Sequence, residues 1–340
     1  MRLQILFIAF ILTACSNPSN ETTIKGVVKG EIRRTIRYTS PINGFCNDLF
    51  TETINPDSSG IFSVSTNYEK PFIIEFLFGK STNRLLVEPG KSYELNIYNG
   101  VDSTEFAVKN PSKAQVYYSS LPKLSPRRCV YSFGDDISSY EKISSQLNVT
   151  YESEMNELRN LLDAENISPK LYLLIKQDRN VYYQTAQSVL ASKNVFEFEK
   201  NKKKVPEKLI KLREKAISQV DLTMPISLQS SDIYDFLYMY KWYFMRKTFK
   251  IEELKSIRAT HRSKGTVHSH SIMMAKQFLP KECQEFYIAS YITYYSRSLR
   301  KEKEFIKIME QYKIDFPNSK YLHFFEDYIK EISTIISEQK

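Results

Sequence analysis

The sequence predicts an α+β protein: a small antiparallel β-sandwich or barrel followed by an all-α helical domain. Three observations predict it. Apolar residues recur with period two from Thr22 to about Asn110, then with period 3.6 from Pro111 onward. Turn residues punctuate the first stretch every ~8–12 residues, the spacing of short strands. The chain has 23 Tyr and 21 Phe against 9 Gly, a balance that favours packed helices over a loop-rich scaffold.

At 340 residues the chain suits two domains of ~100–200 residues each. The predicted boundaries are 1–14 for a lipoprotein signal peptide, 15–21 for a lipidated cysteine and tether, 22–110 for the β domain and 111–340 for the helical domain.

The N-terminus has the three parts of an export signal. Met1-Arg2 is positive, Ile5 to Leu12 is apolar, and the small residues Thr13 and Ala14 follow. The run is shorter than the ~20 apolar residues that span a bilayer. Leu12-Thr13-Ala14-Cys15 reads as a lipobox, in which the Cys15 thiol takes a diacylglyceryl group. Several acyl chains, palmitate among them, exceed the two-signal threshold for stable anchoring at about 0.8 kcal/mol per buried CH₂. The competing readings are an ordinary signal peptide with an incidental cysteine, or a buried strand. Ser16 to Asn20 is a polar tether without an acidic run. The expected location is therefore the cell envelope, anchored to the outer membrane on its periplasmic face.

In the β stretch, Ile24, Gly26 and Val28 alternate with Lys25 and Val27, and a second strand is predicted near Thr35 to Tyr38. Leu49 to Ile54 is a third, closed by Asn55-Pro56-Asp57-Ser58-Ser59-Gly60. Ile61 to Thr66 follows. Phe72 to Phe78 is apolar except for Glu75, which predicts a central strand covered on both faces. Leu85 to Val87 stops at Pro89-Gly90, and Tyr93, Leu95 and Ile97 alternate up to Asn99-Gly100.

The helical stretch begins with Ile137, Tyr140, Leu147, Tyr151, Met155, Leu158 and Leu162 on one stripe. Ser168-Pro169 is an N-cap followed by a first-turn proline, opening a helix that carries Leu171, Leu174, Ile175, Val181 and Tyr182. Val205-Pro206-Glu207 opens another, with Leu209, Leu212, Ala216 and Val220. Ile233 to Met245 and Phe286 to Tyr295 are apolar almost all round, as in helices buried on most sides. Phe305, Ile308, Met309 and Tyr312 precede Phe316-Pro317-Asn318-Ser319, and Tyr321, Phe324, Tyr328, Ile329 and Ile332 follow. That is a tetratricopeptide-like helical hairpin with Ser319 as N-cap. No repeat at fixed period accompanies it.

Candidate chemistry is sparse. His261, His268 and His270 lie within ten residues and form a weak metal-site candidate. No Cys, Asp or Glu lies between them to complete a ligand set, and a polar helix connection is the plainer reading. Asp135-Asp136 lacks the further oxygen ligands of a calcium loop and suits a helix N-terminus. Tyr234, Tyr238 and Trp242 are candidates for an aromatic ligand groove, with core packing as the alternative. The sequence holds no Gly-x-Ser-x-Gly elbow, no phosphate-cradling glycine loop and no His-Glu-x-x-His helix. The net charge of +9 sits in Lys-rich runs such as Lys200 to Lys204 and Arg297 to Lys303. Those runs read as solvated surface and carry no base-stacking aromatics, so no nucleic-acid partner is expected.

With Cys15 lipidated, Cys46, Cys129 and Cys283 remain. Cys46 and Cys129 could pair in an oxidising compartment, and three buried thiols is the alternative. No Cys-x-x-Cys exists.

Thr23-Ile24-Lys25-Gly26, Asn55 to Phe62, Leu85 to Gly90 and the Phe316 to Ser319 hairpin resemble the N-terminal portion of a family of envelope lipoproteins. That family carries a β domain of unknown function and a helical pair ahead of a thioredoxin-like thiol–disulfide domain. The resemblance implies the same β-then-helical order. The sequence to Lys340 lacks the redox motif, so the resemblance brings no catalytic residue and no cofactor is expected. The functional expectation is a lipid-anchored, non-enzymatic binding or interaction module with an envelope ligand or protein partner. The alternatives are an accessory or truncated relative of a thiol–disulfide oxidoreductase, and an enzyme with an unfamiliar site.

Overall fold

The computed structural model describes residues 21–30, 35–39, 41–78, 81–99, 104–122, 124–134, 139–297, 304–326, 330 and 334. The export segment, Cys15 and the tether through residue 20 lie outside these residues, as do Gly100, Asp135, Asp136, Ile137, residues 298–303, Tyr328, Ile329 and Ile332. No helix among the described residues is long and apolar enough to cross a membrane.

The protein is α+β, with its strands at the N-terminal end and its helices after them. Eight strands are described: β1 (Thr22–Lys29), β2 (Ile36–Thr39), β3 (Thr51–Ile54), β4 (Ile61–Thr66), β5 (Phe72–Phe78), β6 (Ser81–Val87), β7 (Ser92–Asn99) and β8 (Thr104–Val108). They form two four-stranded sheets of order β4-β1-β7-β8 and β3-β2-β5-β6. Pairing is antiparallel except between β1 and β7, which run parallel with Ile24 opposite Tyr93. Period-two alternation sends Ile24, Phe62, Val64, Leu95 and Ile97 of the first sheet against Ile36, Phe72, Ile74, Phe76, Leu85 and Val87 of the second. This shared interior makes the unit a sandwich.

Two glycines are set by close approach. Gly60 has φ +80° and its N–H reaches Asp57, whose Oδ1 accepts from Ser59 and Ile61 at 2.8 and 2.9 Å. A Cβ there would lie 2.3 Å from the Val28 carbonyl oxygen, so only glycine fits the turn. At Gly26 a Cβ would sit 2.3 Å from the Phe62 ring, which instead covers the bare backbone.

Phe72, Ile73, Ile74, Glu75 and Phe76 are all 0–4% exposed, as a central strand covered on both faces requires. Its odd positions face helices. Four helices follow, α1 (Lys113–Ser120), α2 (Pro126–Ser132), α3 (Tyr140–Asp163) and α4 (Pro169–Lys200), and Ile73, with Leu86 opposite it, packs on α1, α3 and α4 through Tyr117, Tyr118, Leu158, Leu171 and Leu174. Since β6 is an edge strand, its backbone needs other partners. Gln115 of α1 supplies them: its Oε1 accepts from Leu86 N at 2.8 Å and its Nε2 donates to the Arg84 carbonyl at 3.0 Å.

Helix α4 is the axis of the helical part. It opens as the sequence predicts, with Ser168 Oγ accepting from Leu171 N at 3.3 Å and Pro169 in the first turn. The Ser168 hydroxyl also donates to Glu88 at 2.9 Å, tying the helix start to the β6–β7 turn. Against it pack α5 (Glu207–Ser218), the 3₁₀ turn Pro225–Gln229 and α6 (Ile233–Thr248); α8 (Val267–Phe278) and α9 (Lys281–Arg297) pack on α6, with α7 (Ile251–Ser263) on α8 and α10 (Glu304–Asp315) on α8 and α9. Phe305, Ile308, Met309 and Tyr312 of α10 are all buried, as their spacing predicts. Ser319 Oγ accepts from Tyr321 N at 3.2 Å and lies 2.7 Å from the Tyr312 hydroxyl, closing the turn after α10.

The loop between β2 and β3 enters this helical core. Phe45 stacks on Phe286 at 4.3 Å, Phe50 lies 4.7 Å from Tyr321, and the Tyr321 hydroxyl donates to the Ile42 carbonyl at 2.8 Å.

Candidate functional site

Where the outer face of the second sheet meets α1, α2, α4 and α6, the two layers do not close fully. They leave a cavity of about 620 Å³, within the ~300–1,000 Å³ range of small-molecule sites. The sheet contributes Glu75 of β5 and Thr82, Asn83 and Arg84 of β6. The helices contribute Tyr118 and Ser119 (α1), Arg128 (α2), Arg179 (α4), and Tyr234 and Asp235 (α6), with Ser231 and Asp232 just before α6. Leu124 and Tyr294, about half exposed, mark the rim.

The floor is a lattice of buried charge. Glu75 and Arg84 face each other in the β5–β6 register, and Arg84 Nε donates to Glu75 Oε1 at 2.8 Å. A carboxylate in a strand covered on both faces needs such a partner. Burial by itself would lower the Arg84 pKa, but Glu75, Tyr118, Asp232 and Asp178 outweigh it and hold the guanidinium charged. Behind it, Asp178 accepts from the Tyr118 and Ser230 hydroxyls, both at 2.8 Å. Burial, then Asp178, pushes the Tyr118 hydroxyl far above its ordinary range. Arg179 is fully buried and donates from Nε and Nη2 to the two Glu154 oxygens at 2.8 and 3.2 Å. Tyr183 donates to the same carboxylate at 2.7 Å, and the guanidinium stacks 4.2 Å over Tyr182.

Asp232 precedes α6 without capping it through its side chain. Burial pushes its carboxyl up to about 7, with Arg84 opposing and Asp178, Glu75 and Asp235 adding to the rise. Asp232 stands at the cavity wall, largely withdrawn from water, so its charged form is poorly hydrated. Asp235 is raised for the same reason, against Arg127.

Four polar atoms of this lining have no hydrogen-bond partner in the protein: Asn83 Nδ2, Arg179 Nη1, Ser231 Oγ and Asp232 Oδ2. An unsatisfied buried donor or acceptor costs about 1–3 kcal/mol. All four are themselves closed to water, so they lie in the packed wall behind the cavity and do not open into it.

The structure separates the aromatic trio proposed from the sequence. Tyr234 lines the cavity and stacks on Tyr287 at 5.2 Å. Tyr238 is 41% exposed beneath Arg127, and Trp242 packs with Met245, Leu254 and Met274 in a separate small cluster. Spaced four apart they share one stripe of α6, but along its length that stripe meets Tyr287, then Arg127, then the Met245 cluster, so they do not form one groove. The histidines divide likewise. His261 and His270 stack at 4.2 Å between α7 and α8, while His268 is buried against Tyr291, Tyr295 and Phe305. Among the described residues, no group of three or more His, Cys, Asp and Glu is arranged to hold a metal ion. Cys46, Cys129 and Cys283 are free thiols, the first and last buried and Cys129 half-buried, so Cys46 and Cys129 are not paired. Cys46 Sγ donates instead to the Ile73 carbonyl at 3.3 Å.

Sequence reasoning missed Glu75, Asn83, Arg84, Arg179 and Asp232. One signal was present: Glu75 interrupts an otherwise apolar strand, and Arg84 follows in the next strand. Asp178-Arg179 interrupts the apolar stripe of α4 in the same way. No family model, curated protein or solved structure matches the chain.

Proposed function

We propose that the chain is a lipid-anchored envelope protein that binds a small polar ligand in the cavity between its second sheet and its helices. The observation that carries this reading is a cavity of about 620 Å³ walled by charged and polar side chains, Glu75, Arg84, Arg128, Asp232 and Asp235 among them. The anchor rests on the Leu12-Thr13-Ala14-Cys15 motif. Exchange of Thr82, exposed on the edge strand at the cavity, for Trp fills the space without entering either core. In a thermal-shift screen of small-molecule fractions from envelope extract, the wild-type chain gains melting temperature with at least one fraction and Thr82→Trp gains none. Equal shifts in both, or no shift in either, refute the reading. For the anchor, Cys15→Ser moves the chain from the detergent phase to the aqueous phase on partitioning; an unchanged partition refutes lipidation.

A second reading is favoured by Asp232, whose carboxyl near 7 in a cleft has the acidity of a proton donor or acceptor in catalysis. Turnover of a bound ligand, lost in Asp232→Asn with binding retained, would replace the binding reading by an enzymatic one.

A further inference from the structure

The wall atoms that stay open narrow the class of ligand, given the reading that the cavity is a binding site. Arg84 supplies the first of them. Along β6, Thr82, Arg84 and Leu86 alternate with Asn83, Leu85 and Val87, which puts Arg84 on the helix side of the sheet. Its side chain lines the cavity, is 24% exposed, and is held by Glu75 only at Nε. Nη1 and Nη2 make no hydrogen bond among the described residues, and neither is closed to water. The guanidinium therefore presents a free two-pronged end, already oriented and held charged. Arg128 of α2, exposed at the same cavity, adds a second cation without a side-chain partner among the described residues.

The opposite charge is open on α6. Asp235, in the first turn, lines the cavity half-buried. Its carboxyl makes no hydrogen bond or ion pair among the described residues, and neither oxygen is closed to water. Arg127 attracts it and Arg84 does not, so the two open groups stand apart. A simple anion would meet Arg84 but face Asp232 and Asp235, and a simple cation would meet Asp235 but face Arg84 and Arg128. A molecule carrying both charges on a spacer meets each pole with its opposite. Leu124, Tyr234 and Tyr294 give the cavity apolar surface for side chains on that spacer.

We propose that the cavity binds a short peptide by its two charged ends, the C-terminal carboxylate on the Arg84 Nη1 and Nη2 fork and the N-terminal ammonium on Asp235. The fork matches a carboxylate bidentately, and Glu75 fixes the guanidinium plane before the ligand arrives. Asp235 spends neither oxygen on the protein, so both can accept from an ammonium. The separation of the poles favours two or three residues over a single amino acid.

The test is isothermal titration of the full chain, purified in an alkyl maltoside, whose headgroup is uncharged. The probes are alanyl-leucine, leucyl-alanine and trialanine, each also as its N-acetyl and C-terminal amide forms, with free leucine beside them. Expected is saturable binding of at least one peptide, weakened about tenfold or more by acetylation and by amidation. Leucine should bind more weakly than that peptide. Asp235→Asn should weaken the free peptide and leave its acetyl form unchanged. Arg84→Lys keeps a charge beside Glu75 without the fork, and should weaken the free peptide but not its amide. Circular dichroism melts check that each variant folds, and the blocked peptides probe both poles on the wild-type chain whatever the variants do. A blocked form that binds as tightly as its parent overturns the assignment of that end. Loss on blocking with no loss in either folded variant overturns the placement on Arg84 and Asp235, and leucine binding as tightly as any peptide overturns the spacing. If no peptide binds while the extract screen still gives a shift that Thr82→Trp abolishes, the peptide class fails and the cavity stands as a binding site. If both are silent, the proposal and the reading beneath it fail together.

Discussion

Replacing Asp232 by Asn should stabilise the protein at alkaline pH and change little at acidic pH. Burial raises the carboxyl from its ordinary 3.8 to about 7, despite the attraction of Arg84. Between those limits the folded state holds a proton that the unfolded chain has released. The group's contribution is therefore fully present below about pH 4 and is lost as pH rises through 7. Three pH units at about 1.4 kcal/mol each set a ceiling of ~4 kcal/mol. Water in the cavity screens part of this, leaving roughly 2–4 kcal/mol. Asn carries no charge at any pH and keeps the shape of the protonated acid. It forgoes the attraction between a carboxylate and the α6 N-terminus, a smaller effect of about 0.3–1 kcal/mol. Burial wins. At pH 8.5 the variant should melt ~4–8 °C above wild type, at roughly 2 °C per kcal/mol for a chain of this size. At pH 4.5 the two curves should nearly coincide. The assay is a pair of calorimetric melts at each pH, with carboxyl carbon resonances giving the Asp232 midpoint directly. A melting difference independent of pH, or a midpoint below 5, refutes the claim that this carboxyl is withdrawn from water beside Glu75, Asp178, Asp235 and Arg84.

Three further outcomes follow from other contacts. Glu154→Gln removes the carboxylate that pairs Arg179 and should cost about 3–5 kcal/mol in urea unfolding. The double variant Glu154→Leu with Arg179→Met should recover most of that loss, and failure to recover it would mean that the ion pair itself stabilises the fold. Gly60→Ala should cost at least ~2 kcal/mol, because a left-handed φ and a clash with the Val28 carbonyl add together. Gly134→Ala, at φ +83° with nothing within 4 Å, should cost only about 1 kcal/mol; equal losses at the two sites would refute the clash. In a Cys15→Ser background at pH 8, a thiol reagent should label Cys129 in the native protein and reach Cys46 and Cys283 only on unfolding. Both are buried, and burial pushes the Cys283 thiol up to about 12 and Cys46 higher still. Protection of Cys129 in the native state would contradict its half-buried position.

The sequence by itself determined the class of the fold and most of its cores. A change of hydrophobic period is a local property, so strands before residue 110 and helices after it are readable without tertiary information. Ser168-Pro169 marks the start of α4 because capping depends on residues three apart. Phe72 to Phe78 reveals a strand covered on both faces because no water-facing alternation remains. Tertiary structure alone decided the site. Asn83, Arg179 and Asp232 come from three stretches far apart in sequence, and each taken alone reads as a solvated side chain. Only when the layers close do these groups lose bulk water, each with one polar atom left without a protein partner. Tyr234, Tyr238 and Trp242 show the converse, since proximity along a helix does not settle which neighbour each ring meets. Periodicity specifies which residues leave water. The cost of leaving it unpaired depends on contacts that exist only after the layers close.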